Sequence, residues 1–202
     1  MNAPTTQPRK VRYTYRLRPG RGAERALLAE WHRTRSVWNR AVEMLQRTGV
    51  WASDKNLTHW RQATPWLRAG SVVAQQQELR NFRAKRAKGK GRRRFKSVKR
   101  THPSVNFTLR GFSVSAEGRL RLPKGVSIPV VWSRDLPSPP SSVRVYRDNL
   151  GHWYASFVVD RPEENPLPAS DEVIGVDWGV TRLAVTTNPV YDLGACVVTR
   201  RH

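Results

Sequence analysis

Between Arg83 and Arg100, eleven of eighteen residues are lysine or arginine and none is acidic. Two like charges about 4 Å apart repel by about 1 kcal/mol even in water, so such a run cannot pack against itself and needs solvent or a polyanion for company. The rest of the chain does not offset it. Across 202 residues, 37 Lys and Arg face 15 Asp and Glu, a formal net charge of +22, and self-repulsion of that size opposes a compact state unless counter-charge is bound. Nucleic acid is the partner this balance fits. The run, with Gly89 and Gly91 in its middle, is expected to order only on an RNA or DNA backbone, its alternative being a solvated linker. Arg92, Arg93, Arg94, Lys96, Lys99 and Arg100 are its candidate phosphate contacts. Phe95 among them is placed to stack on a base or to anchor the segment.

The remaining composition narrows the class. Hydrophobic residues make up 38% of the chain and eight of them are Trp, enough for one or two folded domains with a modest core. No stretch approaches the roughly 20 apolar residues of a membrane span. The first eight residues are polar and lack the apolar centre of a signal peptide, so the expected setting is the cytoplasm, on the nucleoid, with no membrane partner. Cys196 is the single cysteine, which excludes an internal disulfide and a cysteine-based zinc site. Nothing in the sequence sets an oligomeric state.

From Arg9 to Arg18, Val11, Tyr13, Tyr15 and Leu17 alternate with Arg12, Thr14, Arg16 and Arg18. That is the period of a strand with one apolar and one basic face. Its outward residues Arg9, Lys10, Arg12 and Arg16 are candidate phosphate contacts, a merely solvated face being the alternative. From about Gly22 to Thr48, Leu27, Leu28, Trp31, Trp38, Val42 and Leu45 fall at helical spacing, with Gly49 as the stop. The Trp residues lie on the apolar stripe and read as core, while Arg33 and Arg40 on the polar face are possible phosphate contacts. Ser53 is expected to cap a short helix through Leu57 and Trp60 that ends before Pro65. A third helix is expected to begin near Ser71 and pass Val72, Gln75, Leu79 and Phe82.

From Ser104 to Val159 the period becomes two. Strands are expected at 105–109, 112–114, 119–122, 128–132, 143–146 and 154–159, separated by turn signals at Glu117-Gly118 and Asp148 to Gly151. Short strands at this spacing suggest a small barrel that the first strand joins, with the helices as an insertion. Arg144 is a further candidate contact. Asp160 to Glu172, rich in Pro and acids, reads as a linker. Beyond it, Val173 to Val180 is an apolar run holding one carboxylate, Asp177, followed by a hairpin partner from Leu183 to Thr187 and a third strand from Ala195 to Thr199. A carboxylate in a buried strand needs a cation or a ring of donors. Asp177 is therefore a candidate metal ligand at a phosphate-cutting site, or a strand-end Asp satisfied by turn amides.

The Arg-rich start, Trp38-Asn39, Arg93-Arg94-Phe95-Lys96-Ser97, the strand pair 142–146 and 153–159, and Ile174-Gly175-Val176-Asp177-Trp178-Gly179-Val180 occur in one order. That series resembles the N-terminal half of the TnpB (OrfB) proteins of insertion sequences, RNA-guided endonucleases related to the type V CRISPR effectors. The resemblance implies an α+β chain. Residues 1–20 and 101–160 would form a wedge-like β-barrel, 21–100 a helical recognition-like insertion with the basic loop, 161–172 a linker, and 173–202 the first β-meander of an incomplete RuvC/RNase H-like domain. It implies a guide-type non-coding RNA and DNA as partners, Mg²⁺ as cofactor, and a catalytic, metal-binding role for Asp177. The family's later Glu, second Asp and cysteine-rich zinc element have no match here, so the expectation is a truncated chain without nuclease activity of its own. The alternative is a binding protein or repressor that holds nucleic acid without cutting. An actin-like kinase hairpin at 175–181 would leave the +22 charge without a role, and a tyrosine transposase would need a His-hydrophobe-His motif that does not occur.

Overall fold

The computed structural model describes residues 9–87, 93–161, 175–177, 184–187 and 189–193. The chain divides into a unit spanning Met1–Glu163 and a second spanning Glu164–His202. Arg92, the glycines at 89 and 91, linker positions 162–172, the expected strand at 195–199 and Cys196 lie outside the described residues.

In the first unit the two-residue alternation places strands where it is expected. β1 (Arg9–Leu17) buries Tyr15 and Leu17 and turns Arg12, Thr14 and Arg16 outward. It is followed by α1 (Arg21–Thr48), α2 (Asp54–Ala63), α3 (Pro65–Arg68) and α4 (Val72–Ala87). Then come β2 (Ser104–Thr108), β3 (Ser113–Val114), β4 (Arg119–Leu122), β5 (Val126–Val131), β6 (Ser142–Arg147) and β7 (Trp153–Arg161). These seven strands form one antiparallel sheet, in the order β2-β6-β7-β1-β5-β4-β3. The first and last strands of the unit are neighbours, paired from Arg9↔Arg161 to Leu17↔Trp153. The four helices are thus an insertion between β1 and β2.

The sheet curls into a half-barrel and does not close. This corrects the expected small barrel, and the reason is what fills its inner face. Leu27 and Trp31 of α1 and Ala74 of α4 pack among Tyr15, Val105, Phe107, Leu120, Ile128, Val145 and Phe157, covering apolar surface that closing strands would otherwise have covered. β3, only two residues long, ends the sheet as a short edge of the kind that resists further pairing.

A second core lies within the helices, where Val37, Trp38, Ala41 and Val42 of α1 meet Leu57, Leu67, Leu79 and Phe82. α1 spans 28 residues, about 42 Å at 1.5 Å per residue, so one helix serves both cores. Its Trp residues, 31 and 38, are buried as the apolar stripe predicts. Gly49, at φ 70°, ends it by donating its N–H to the Leu45 carbonyl at 3.0 Å. Ser53 caps α2 in a reciprocal box with Asn56, satisfying two otherwise orphaned amides.

In the second unit β8 (Val176–Asp177) pairs antiparallel with β9 (Val185–Thr186), with Asp177 opposite Val185. The expected hairpin partner at 183–187 is therefore present in its described part.

Candidate nucleic-acid interface

On the sheet's outer face, strand register converts sequence-distant residues into rows. One row runs Asn106, Arg144, Ser156 and Thr14 across β2, β6, β7 and β1. The next runs Ser104, Tyr146, Tyr154 and Arg16, and on the other side Arg12 stands beyond Ser142 and Val158. Arg12, Arg16 and Arg144 are all exposed on this one face. Strands lie about 4.8 Å apart, so Arg144 stands roughly 10 Å from β1, a spacing an extended phosphate backbone can follow. Arg144 donates through Nε to Ser104 Oγ at 2.7 Å, and its guanidinium lies 5.6 Å from the Tyr146 ring centroid. Arg9 and Lys10 are exposed at the start of β1, with Lys10 opposite Asp160.

The helical candidates have other tasks. Arg33 Nε donates to the Trp66 carbonyl at 3.0 Å and Nη1 pairs with Glu30 at 3.3 Å, while Arg40 Nη2 donates to Thr64 Oγ1 at 3.1 Å. Glu30 is buried and also accepts the Ser71 N–H at 3.0 Å. Burial raises its carboxyl above the ordinary range, against the opposing pull of the Ser71 amide and Arg33.

The described part of the basic run is ordered by the protein itself, which corrects the expectation that it orders only on nucleic acid. Trp38 Nε1 donates to the Arg94 carbonyl at 3.0 Å. Asn39 accepts the Lys96 N–H at 2.8 Å and donates to the Lys96 carbonyl at 3.1 Å. Arg93 is buried against the rings of Trp51 and Phe82. Lys96 pairs with Glu78 and lies 4.0 Å from the Trp38 ring centroid. Cations can thus pack where an aromatic face or a buried acid receives them. Arg94, Phe95, Lys99 and Arg100 remain exposed. Charge density drew attention to the whole run; the Trp38-Asn39 pair was the signal that part of it is docked.

Asp177 is exposed, as is Val176 beside it, so the buried strand that argued for a cation is not what the structure presents. Among the described residues there is no group of three or more His, Cys, Asp or Glu able to hold a metal. Asp192 Oδ1 accepts the Thr186 N–H at 2.6 Å and is 3.2 Å from Thr186 Oγ1, so it is engaged within its own loop. Among the described residues, no helix is long and apolar enough to cross a membrane.

Fold and site together define a cationic α+β protein whose half-barrel presents arginine and tyrosine on its outer face. No protein-family model matches the chain. In an alignment 211 positions long that covers 91% of the chain, it is 30% identical to a protein of Streptomyces pristinaespiralis named "Putative RNA-guided DNA endonuclease". The chain spans about half of that relative, 51% of its length. This relationship supports the resemblance to the TnpB family.

Proposed function

We propose that these 202 residues are the nucleic-acid-gripping part of a TnpB-like RNA-guided DNA endonuclease, holding a guide-type RNA and the DNA it addresses. The observation that carries this is the outer sheet face, where Arg12, Arg144 and Arg16 stand in three successive rows and Tyr154 and Tyr146 continue the row of Arg16. Guanidinium groups so spaced bind phosphates by charge and by paired N–H donors. The exposed Arg94, Lys99 and Arg100 would extend the grip along the backbone. In this reading β1 and β2 to β7 are the wedge-like domain, residues 21–100 the recognition-like insertion, 161–172 the linker, and 173–202 the opening of a RuvC-like domain. Its setting is the cytoplasm, where the nucleoid supplies the polyanion.

Magnesium is the cofactor the family implies, and it would supply two-metal phosphodiester hydrolysis, which needs several converging carboxylates. The described residues do not fit that requirement, since Asp177 is exposed and stands in no acidic group. We therefore place no metal chemistry on Asp177 among the described residues and propose binding without cutting as the role of these residues. The same observation favours a second reading, a derived binder or repressor that never cuts.

The test is purification of the chain with its bound RNA, followed by Mg²⁺-dependent cleavage assays on matching DNA. A defined co-purifying RNA with no cutting is expected. A mixed RNA population would favour the generic binder. Robust cutting abolished by Asp177→Ala would overturn the assignment to binding alone.

A further inference from the structure

We infer that Tyr146 and Tyr154 form a seat on which an unpaired RNA base stacks. The two rings lie on neighbouring strands in directly paired positions, with centroids 5.6 Å apart and planes 22° from parallel. They stand on the outer face, whereas Tyr15, Phe157, Trp132 and Phe112 pack together with the inner core. Both are only half-buried. Arg144 lies over Tyr146, and Arg16 stands directly opposite Tyr154 in the sheet, so a cation flanks each end of the pair. A groove beside Tyr146 is lined by His102, Ser104, Arg144, Arg147 and Asn149.

A cross-strand aromatic pair can serve sheet stability alone. Three features point past that here. Each ring keeps solvent access, each has an arginine in the adjoining position, and the chain's charge selects polyanions as company. Rings set in a cationic surface are the means by which proteins hold single-stranded nucleic acid, because every base has a π-face and the flanking cations take the phosphates. The occupant is RNA because Ser104, Asn106 and Ser142 share this face and offer bonding partners for a ribose 2′-hydroxyl. A duplex would not serve, since its bases are already stacked. Asp148 Oδ1 accepts the backbone N–H of His152 at 2.7 Å, closing the turn between the two strands that carry the rings.

This inference rests on the nucleic-acid-binding reading above, and its test separates the two. Binding of a single-stranded oligouridine of about 12 nucleotides, its deoxy counterpart and an RNA duplex would be measured over a salt series. The proteins are the wild type, Tyr146→Leu/Tyr154→Leu and Tyr146→Phe/Tyr154→Phe. The leucine pair should weaken single-stranded RNA binding about tenfold or more at fixed salt with the salt slope unchanged, and the phenylalanine pair should hold close to wild type. Oligouridine carrying 5-iodouridine, irradiated on the wild-type protein, should crosslink to the peptides holding Tyr146 or Tyr154. That readout needs no variant to fold. Wild-type affinity in the leucine pair, or crosslinks confined to other peptides, would overturn the seat while leaving the binding function standing. Equal affinity and equal loss on the deoxy counterpart would overturn the choice of RNA. No binding by wild type to any probe would overturn both.

Discussion

Gly70 shows how one missing side chain can set a local network. A Cβ there would collide with Arg33 Cδ and come within 2.8 Å of Gln75 Nε2 and 2.9 Å of Glu30 Oε2. None of these can simply swing away. Arg33 is tied to Glu30 and the Trp66 carbonyl, and Gln75 donates to the Leu67 carbonyl at 2.9 Å while accepting from Arg61 at 2.5 Å. Gly70→Ala is expected to cost about 1–3 kcal/mol in urea unfolding, the usual range for overpacking. Glu30, in the same network, makes stability depend on pH. Its carboxyl is raised by burial, so the folded state holds the proton more tightly than the unfolded one. Its contribution is full below the ordinary carboxylate value and is lost as pH rises through the raised one. Against Glu30→Gln, which keeps the acceptor for Ser71, wild type should therefore lose relative stability as pH rises from about 4 to 7. A stability difference flat in pH would contradict the burial argument. Nothing in the sequence singled out Gly70 or Glu30, because the residues of their network converge from all four helices and the turn before α4.

Among the elements, α1 does most to organise the chain, packing on the sheet at one end and on α2, α3 and α4 at the other. Its Trp38-Asn39 step also receives the segment 93–100. If Asn39 is what holds Lys96, then Asn39→Ala leaves the Lys96 N–H without its acceptor and the Lys96 carbonyl with Arg35 Nη1 alone, and loosens the segment locally. Limited trypsin digestion should then cleave after Arg94 and Lys96 about tenfold faster, with cleavage in the sheet unchanged. Equal rates at the two sites would show that Arg93 and Lys96 hold the segment without Asn39. The sheet makes a separate prediction. Arg12, Arg16 and Arg144 converge on one face, so replacing all three with Ala should lower the slope of log binding constant against log salt by about two units for single-stranded RNA, at roughly 0.7 per phosphate contact. An unchanged slope would mean that these arginines face solvent only.

For the whole molecule, a net charge of +22 sets the folded state against itself, and bound polyanion relieves the repulsion by mass action. Heparin or oligouridine should raise the melting temperature at low salt by several degrees, roughly 1 kcal/mol or more of stabilisation for a domain of this size. The gain should shrink as salt rises. A melting temperature indifferent to polyanion at low salt would argue against a continuous cationic face.

The sequence by itself determined the local structure. Alternation in 9–18 and in the strands after 104, the stripe from Leu27 to Val42, the Ser53 cap and the Gly49 stop are all short-range patterns, and side-chain periodicity is a property of neighbours a few residues apart. Only the tertiary structure decided which distant residues meet. It opened the barrel because helices α1 and α4 cover the inner face. It docked Arg93 and Lys96 because Trp51, Phe82, Trp38 and Glu78 come together around them. It left Asp177 exposed on a two-residue strand. It also joined Tyr146 to Tyr154 and to Arg16, about 130 residues away in the chain, because pairing register is set by long-range burial of one sheet face and cannot be read from the period of any single strand.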